Sequence, residues 1–226
     1  MMWAVLLGVF LGASLNIWAD SLPSGSFEKF AAKLASIVFL AGPGIFSIFV
    51  GDRRERQRRA ENRDRQIEDK LRYAVESLFP GENPRTIRAN VMLPDADELF
   101  IAYRWNMDTW KDARLRLPMG SGVAGAAWDH AKRAGNADRW RPLTAPEITS
   151  GELEAWNIDR QVAEMTDHIK WIVSTPILSG STRDVLGILN IDGVDPLGDP
   201  AIIRSNDLYH RCATLAEVLA NYLEQE

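Results

Sequence analysis

Trp171-Ile172-Val173-Ser174-Thr175-Pro176-Ile177-Leu178, then Ser179-Gly180-Ser181-Thr182-Arg183-Asp184, then Val185-Leu186-Gly187-Ile188-Leu189-Asn190-Ile191-Asp192 is the stretch that decides the fold of this chain. Two β-rich runs flank a cluster of small and turn-forming residues, which reads as strand, turn and return strand. An earlier hairpin is built the same way: Thr86 to Leu93, the turn Pro94-Asp95-Ala96-Asp97, and Leu99 to Trp105. Arg114-Leu115-Arg116-Leu117 alternates polar and apolar, as a half-buried strand does. Between the hairpins, Met119 to Gly125 leads into a helix reaching about Arg133, and turns mixed with helix run from Gly135 to Lys170. Hairpins at both ends with helices between them predict an α+β domain on an antiparallel sheet with flanking helices.

Outward toward the N-terminus the composition changes. Met1 to Ala19 and Leu34 to Val50 are almost wholly apolar, and Arg53-Arg54-Glu55-Arg56-Gln57-Arg58-Arg59 follows at once. A bilayer core takes about 20 apolar residues to cross as a helix, and arginine-rich short segments stay on the cytoplasmic side. This predicts a two-helix transmembrane hairpin ahead of the α+β domain. The corresponding location is an inner or plasma membrane, two-pass, with a cytoplasmic C-terminal domain. A cleaved signal peptide fits less well, because Met1-Met2-Trp3 lacks a basic side chain and Asn16-Ile17-Trp18-Ala19 is a poor cleavage site. A buried helix is the rival reading of the second run. Ala4, Gly8 and Gly12 share one face, a spacing that lets helices approach closely. Gly42-Pro43-Gly44 predicts a kink or hinge in the second helix.

Beyond the arginines, Ile67, Leu71, Ala74 and Leu78 recur at spacings of four, three and four until Phe79-Pro80-Gly81 stops the helix. Leu208, Cys212, Leu215, Leu219 and Tyr222 repeat the pattern near the C-terminus. Such stripes fit a coiled-coil seam or a helix packed on its own sheet. The seam reading predicts a homodimer, or a higher homo-oligomer, through Ile67, Leu71, Leu78, Leu208, Leu215 and Leu219. The expected organisation is a membrane hairpin over 1–51, a basic helical linker over 52–79, the α+β domain over 80–203 and a dimerisation helix over 204–226.

Charge and cysteine usage narrow the functions. The net charge of -5 argues against nucleic acid as a partner; the local arginines fit topology and anionic lipid headgroups, with the lipid bilayer as partner. One cysteine, Cys212, excludes an intrachain disulfide and a multi-cysteine zinc site. Gly120, Gly122 and Gly125 match G-x-G-x-x-G, but without the parallel strand that a dinucleotide site requires. No nucleophile elbow, zinc spacing or phosphate loop is present, so no enzyme, no metal and no cofactor are expected. Asp108, Asp112 and Asp129 read as solvated surface acids.

Two stretches carry a family resemblance. Leu117-Pro118-Met119-Gly120-Ser121-Gly122-Val123-Ala124-Gly125-Ala126-Ala127-Trp128 is one; the terminal strand-turn-strand quoted at the outset is the other. In this order they resemble the GAF domain family over roughly Phe79 to Ile203, with PAS-type sensory domains as the near alternative. The resemblance implies a ligand pocket on the sheet face away from the terminal helices. It also implies dimerisation through those helices. Its members take cyclic nucleotides, tetrapyrroles, haem or small metabolites, and some take nothing. The Asn-Lys-x-Phe-Asp-Glu pattern of cyclic-nucleotide-binding relatives is absent, and methionine-sulfoxide reductase relatives use several cysteines. Haem would need an axial ligand, for which His168 is the candidate. Arg139, Trp140 and Arg141 lie in the irregular segment that covers the ligand in this fold, and arginine beside an aromatic suits a phosphate and a stacked base. Trp128, Asp129, His168 and Thr175 complete the expected ligand wall. The expected function is a membrane-anchored sensor that binds a small molecule, with a nucleotide among the candidates, and signals through its helices to the membrane segment. The alternative is a dimeric scaffold that recruits a partner protein.

Overall fold

The computed structural model describes residues 2–24, 26–134, 138–145 and 156–224, with side chains throughout these except 2–9 and 38–54. The chain divides into two units, Met1–Asn62 and Arg63–Glu226.

The second unit is built on a six-stranded sheet in the order β3-β2-β1-β6-β5-β4, every neighbour antiparallel. β1 (Ile87–Asp95) and β2 (Glu98–Trp105) form the first hairpin, and β3 (Arg116–Pro118) pairs with β2. The turn between β1 and β2 holds Ala96 at φ 53°, which lets two residues close the hairpin. β5 (Trp171–Leu178) and β6 (Val185–Gly193) form the second hairpin. β4 (Leu143–Ala145) adds an edge to β5 from within the irregular segment, where three residues are too few to leave a periodic signal.

Strand alternation gives the sheet two different faces. Ile87, Ala89 and Val91 of β1, Leu189 and Ile191 of β6, and Trp171, Val173 and Ile177 of β5 pack against the last turns of α2 (Phe27–Leu78) and against α5 (Asn206–Leu223). Met92 and Ile188 turn the other way, toward α3 (Gly122–Arg133) and α4 (Arg160–Thr166). The caps are local: Ser205 accepts from the amide of Leu208 at the start of α5, and Asp159 accepts from the amide of Val162 in α4.

The expected dimer seam has a different role. Ile67, Leu71, Leu78, Leu208 and Leu219 are buried in the core of their own domain, and Leu215 packs against it. A helix lying on a sheet and a two-stranded coil both need an apolar residue about every 3.5 positions. Stripes this short therefore carry the same signature, and here the sheet takes them.

The glycine motif is also structural. Gly120 and Gly122 sit at φ 83° and 66°, and a Cβ on Gly125 would stand 2.8 Å from the Gly120 amide nitrogen. The three glycines fold a tight turn back onto the first turn of α3.

The first unit contains α1 (Met2–Asp20) and the start of α2, joined by a short turn. Lys33 and Asp20 form an ion pair at 3.1 Å, and Lys29 donates to the Leu22 carbonyl. The transmembrane hairpin is corrected here: among the described residues no helix is long and apolar enough to cross a membrane. α1 ends on Asp20, Lys29 and Lys33 interrupt the start of α2, and the apolar stretches with described side chains, 10–19 and 34–37, fall short of the about 20 positions of a crossing. α2 continues through Gly42-Pro43-Gly44 without interruption; the side chains of that triplet, like those of Ala4 and Gly8, lie outside the described ones.

Candidate functional site

On the α3/α4 side of the sheet, the positions next to the core are polar. Arg88 and Asn90 of β1 stand opposite Asp192 and Asn190 of β6, and Ser174 of β5 stands opposite Asn190. All five are buried. Their contacts cross the strands in register: Asn190 donates to Asn90 Oδ1 at 2.9 Å, and Ser174 donates to Asn190 Oδ1 at 2.7 Å. Arg88 is wholly buried. Its Nε donates to Asp192 Oδ1 at 2.6 Å, and its two terminal nitrogens donate to the two oxygens of Asp112 at 3.0 Å each.

The loop between β2 and β3 supplies Asp112 and Trp110, and the turn before β5 supplies His168. Nη1 of Arg88 stands 2.7 Å from His168 Nε2. Trp110 stacks on His168 with centroids 4.5 Å apart, and Arg88 lies 5.1 Å from the same indole centroid. Burial, and then Arg88, hold the His168 pKa below its usual value, although Asp112 and Asp167 pull it upward. The ring is therefore neutral near pH 7 and Nε2 accepts from Arg88. Burial pushes Asp192 up to about 6 against the opposing pull of Arg88. For Arg88, burial works against the charge, but Asp192 and Asp112 outweigh it and raise the pKa. One guanidinium thus faces two buried carboxylates, a combination that one cation cannot neutralise completely.

Beside this cluster lies a cavity of about 70 Å³. Its walls are apolar, from Met92, Ile101, Leu117, Val123, Val162 and Ile172 among others, and its polar end is formed by Asn90, Asp112, Asn190 and Asp192. Arg88, which bonds both carboxylates, does not itself line the cavity. Among the described residues no group of three or more His, Cys, Asp or Glu side chains is arranged to hold a metal ion.

None of the residues expected to wall a ligand lines this cavity. Trp128 is buried in the α3 core with Lys132 Nζ 4.7 Å from its ring centroid. Asp129 pairs with Arg133 one turn along the helix. Thr175 is buried on the opposite face of the sheet, under α5 and near Cys212. His168 belongs to the buried cluster. Arg139 and Trp140 border a separate, open cleft of about 740 Å³ with Arg183, His210 and Glu217. Arg139 donates to the Ala131 carbonyl, Trp140 stacks on His210, and Arg141 lies 6.0 Å from the Tyr209 ring centroid. These three residues tie their segment to α3 and α5.

One expectation is corrected at this site, and two residues are added to it. Asp112 is buried in the cluster rather than solvated. Arg88 and Asp192, the residues that anchor the cluster, escaped the sequence reading. Their signal is the pair Arg88-x-Asn90 and Asn190-x-Asp192, polar residues two apart on one face of otherwise apolar strands.

No family model and no curated protein matches the chain. Solved structures do. The GAF domain region of a protein from Geobacter sulfurreducens PCA superposes with a TM-score of 0.52 at 14% identity, covering 75% of this chain and 98% of that one. The GAF domain of a phosphoenolpyruvate-protein phosphotransferase from Coxiella burnetii gives 0.50 at 14% identity, covering 97% and 94%. The type II free methionine-R-sulfoxide reductase from Thermoplasma acidophilum gives 0.50 at 12% identity, covering 73% and 94%. The last of these is an enzyme, so the expectation that this chain is not one is withdrawn: its fold is shared with a catalyst, and missing motifs do not rule catalysis out. At these identities the likeness is one of fold, and the fold is GAF-like.

Proposed function

We propose that the GAF-like domain is a sensory module that takes up a small molecule in the cavity between its sheet and α3/α4. The observation that carries this reading is the lining of that cavity, apolar on its walls with Asn90, Asp112, Asn190 and Asp192 converging at one end. Apolar walls with a few converging polar groups are the usual make-up of a small-molecule site. The polar end holds two carboxylates and no cation, so it favours a ligand that donates hydrogen bonds, such as a small amine. A volume of about 70 Å³ admits roughly three heavy atoms, on the scale of about 150 Å³ for a cavity that holds benzene. A nucleotide asks for a site in the range of about 300–1,000 Å³, several times larger.

Thermal-shift and native mass spectrometry measurements on the full chain test this, using methyl-, ethyl- and propylammonium beside a panel of nucleotides. Stabilisation by one of the amines that is lost in Asn90→Leu supports the reading. The reading fails if no amine raises the melting temperature at millimolar concentration.

A second reading has its own observation. Arg88 already bonds both carboxylates and His168 Nε2, and Asn190 bonds Asn90 and Ser174, which leaves His168 Nδ1 as the one buried atom of this cluster without a hydrogen-bond partner among the described residues. A core that needs no ligand suits a scaffold that recruits a partner protein. An empty, unresponsive cavity in the same measurements favours this scaffold.

A further inference from the structure

The first unit is built inside out for water. The described residues it buries are small: Gly12, Ala19, Ala32 and Ser36. Among its described large apolar side chains, Phe10, Ile17, Trp18, Phe27, Phe30, Leu34 and Ile37 are exposed, Phe27 to 82% and Ile17 to 74%. Outside this unit, Tyr73 is the one exposed large hydrophobic side chain among the described residues. In water, contiguous apolar surface of this kind marks an interaction site. Small residues between helices with large apolar residues outside are the arrangement lipid favours, because lipid gives no hydrophobic reason to bury the large ones.

Charge on the same unit identifies the partner. In sequence, Arg53 to Arg59 places five arginines against one glutamate, and Arg58 and Arg59 are exposed. A second copy of this unit would bring the same positive charge against itself. An anionic membrane surface complements it. We propose that the outward apolar face of the α1–α2 unit seats in the apolar boundary of an anionic lipid bilayer, as a monotopic attachment that needs no crossing helix.

The test is flotation of the full chain with vesicles of phosphatidylcholine alone and of phosphatidylcholine with phosphatidylglycerol. The expected result is co-flotation, stronger with the anionic vesicles and weakened by salt. The triple variant Phe27→Ser, Phe30→Ser, Ile37→Ser is expected to bind at least about a hundredfold more weakly, from the apolar area it removes. Its C-terminal domain should keep the thermal melt of the parent, which separates lost attachment from lost folding. Quenching of tryptophan fluorescence by brominated lipid, reduced in Trp18→Phe, gives an independent reading of depth. Two results overturn the proposal. One is a chain that stays in the dense fraction with both vesicle types. The other is a lipid-independent oligomer that the triple variant disperses, which would assign the face to a second copy.

Discussion

Replacing Arg88 by methionine tests the buried cluster most directly. The guanidinium is wholly buried and bonds Asp192 at 2.6 Å and both oxygens of Asp112 at 3.0 Å. Methionine fills much of the same volume but leaves two carboxylates in the interior without a cation. Removing one partner of a buried ion pair is destabilising by about 3–5 kcal/mol, and here a single cation serves two acids. We expect Arg88→Met to lose about 4 kcal/mol at pH 7. The loss should shrink at pH 5, because uncompensated buried carboxylates take up protons. Arg88→Lys should recover little, since an ammonium cannot bond Asp112 through two parallel N–H groups while also reaching Asp192. The triple variant Arg88→Met, Asp112→Asn, Asp192→Asn should recover much of the loss, having no buried charge left. Urea unfolding of all four chains at pH 5 and pH 7 measures these differences. A single-variant loss below about 1 kcal/mol, or a triple variant no more stable than the single one at pH 7, would refute the account of Arg88 as the counter-ion of this core.

Further outcomes follow from the same geometry. Asp192 titrates near 6 in the folded chain against 3.8 for its reference value, so its contribution is fully present below the lower value and disappears as pH rises through the higher one. The stability of the parent relative to Asp192→Asn should therefore fall between pH 4 and pH 7, by at most about 3 kcal/mol; a difference that stays flat or rises in urea titrations contradicts this. Burial pushes the Cys212 thiol up to about 12, so iodoacetamide at pH 8 should leave the folded chain unlabelled and modify it rapidly in urea; fast labelling without denaturant would disprove that burial. A Cβ on Gly193 would meet the indole of Trp171, which is buried, packs at a tilt against Phe79 and donates to the Asp195 carbonyl. Gly193→Ala should lose about 2–3 kcal/mol through that overpacking, read as a lower melting temperature, and a melt equal to the parent's would show that the indole has room to move.

The hairpins were legible because their signals are local. A β-rich run, a turn cluster and a second run specify antiparallel neighbours with little help from the rest of the chain. β5 and β6 begin and end within a residue of the positions the sequence indicates. What covers each face was less legible. The stripe Ile67-Leu71-Ala74-Leu78 states that one side of a helix is apolar, and no residue in it names the partner. The buried cluster was harder still. Arg88 and Asp192 are 104 positions apart, and Asp112 enters from a loop with no periodicity to mark it inward. A charged residue reads as solvated until its partner is known, and these partners meet only once the sheet has formed. The expected ligand wall is not brought together at one place for a related reason: Arg139 and Trp140 border the cleft beside α5, while Trp128 and Thr175 are buried elsewhere in the domain and His168 joins Arg88.

The two units invert one another, and that contrast says more about function than either does alone. In Arg63–Glu226 the interior holds an arginine, two aspartates and two asparagines, each bonded to another, with Met92, Leu115 and Leu117 beside them. Polar groups placed this way contribute less to stability than apolar residues of the same volume would, and their directional bonds hold β1, β6, the β2–β3 loop and the turn before β5 in one arrangement. An occupant of the proposed site at Asn90 and Asp192 would touch the network that links all four segments. In Met1–Asn62 the described interior is glycine, alanine and serine, and Phe10, Phe27 and Phe30 are outside. Such a surface has no stable place in water unless something covers it. One unit therefore carries a site whose charge state can change, and the other a surface that requires an environment; a single helix, α2, contributes residues to both. If that helix transmits between them, Arg88→Met should alter vesicle binding of the full chain even though Arg88 lies outside the apolar face. Unchanged vesicle binding in a folded Arg88→Met chain would show that the two units act independently.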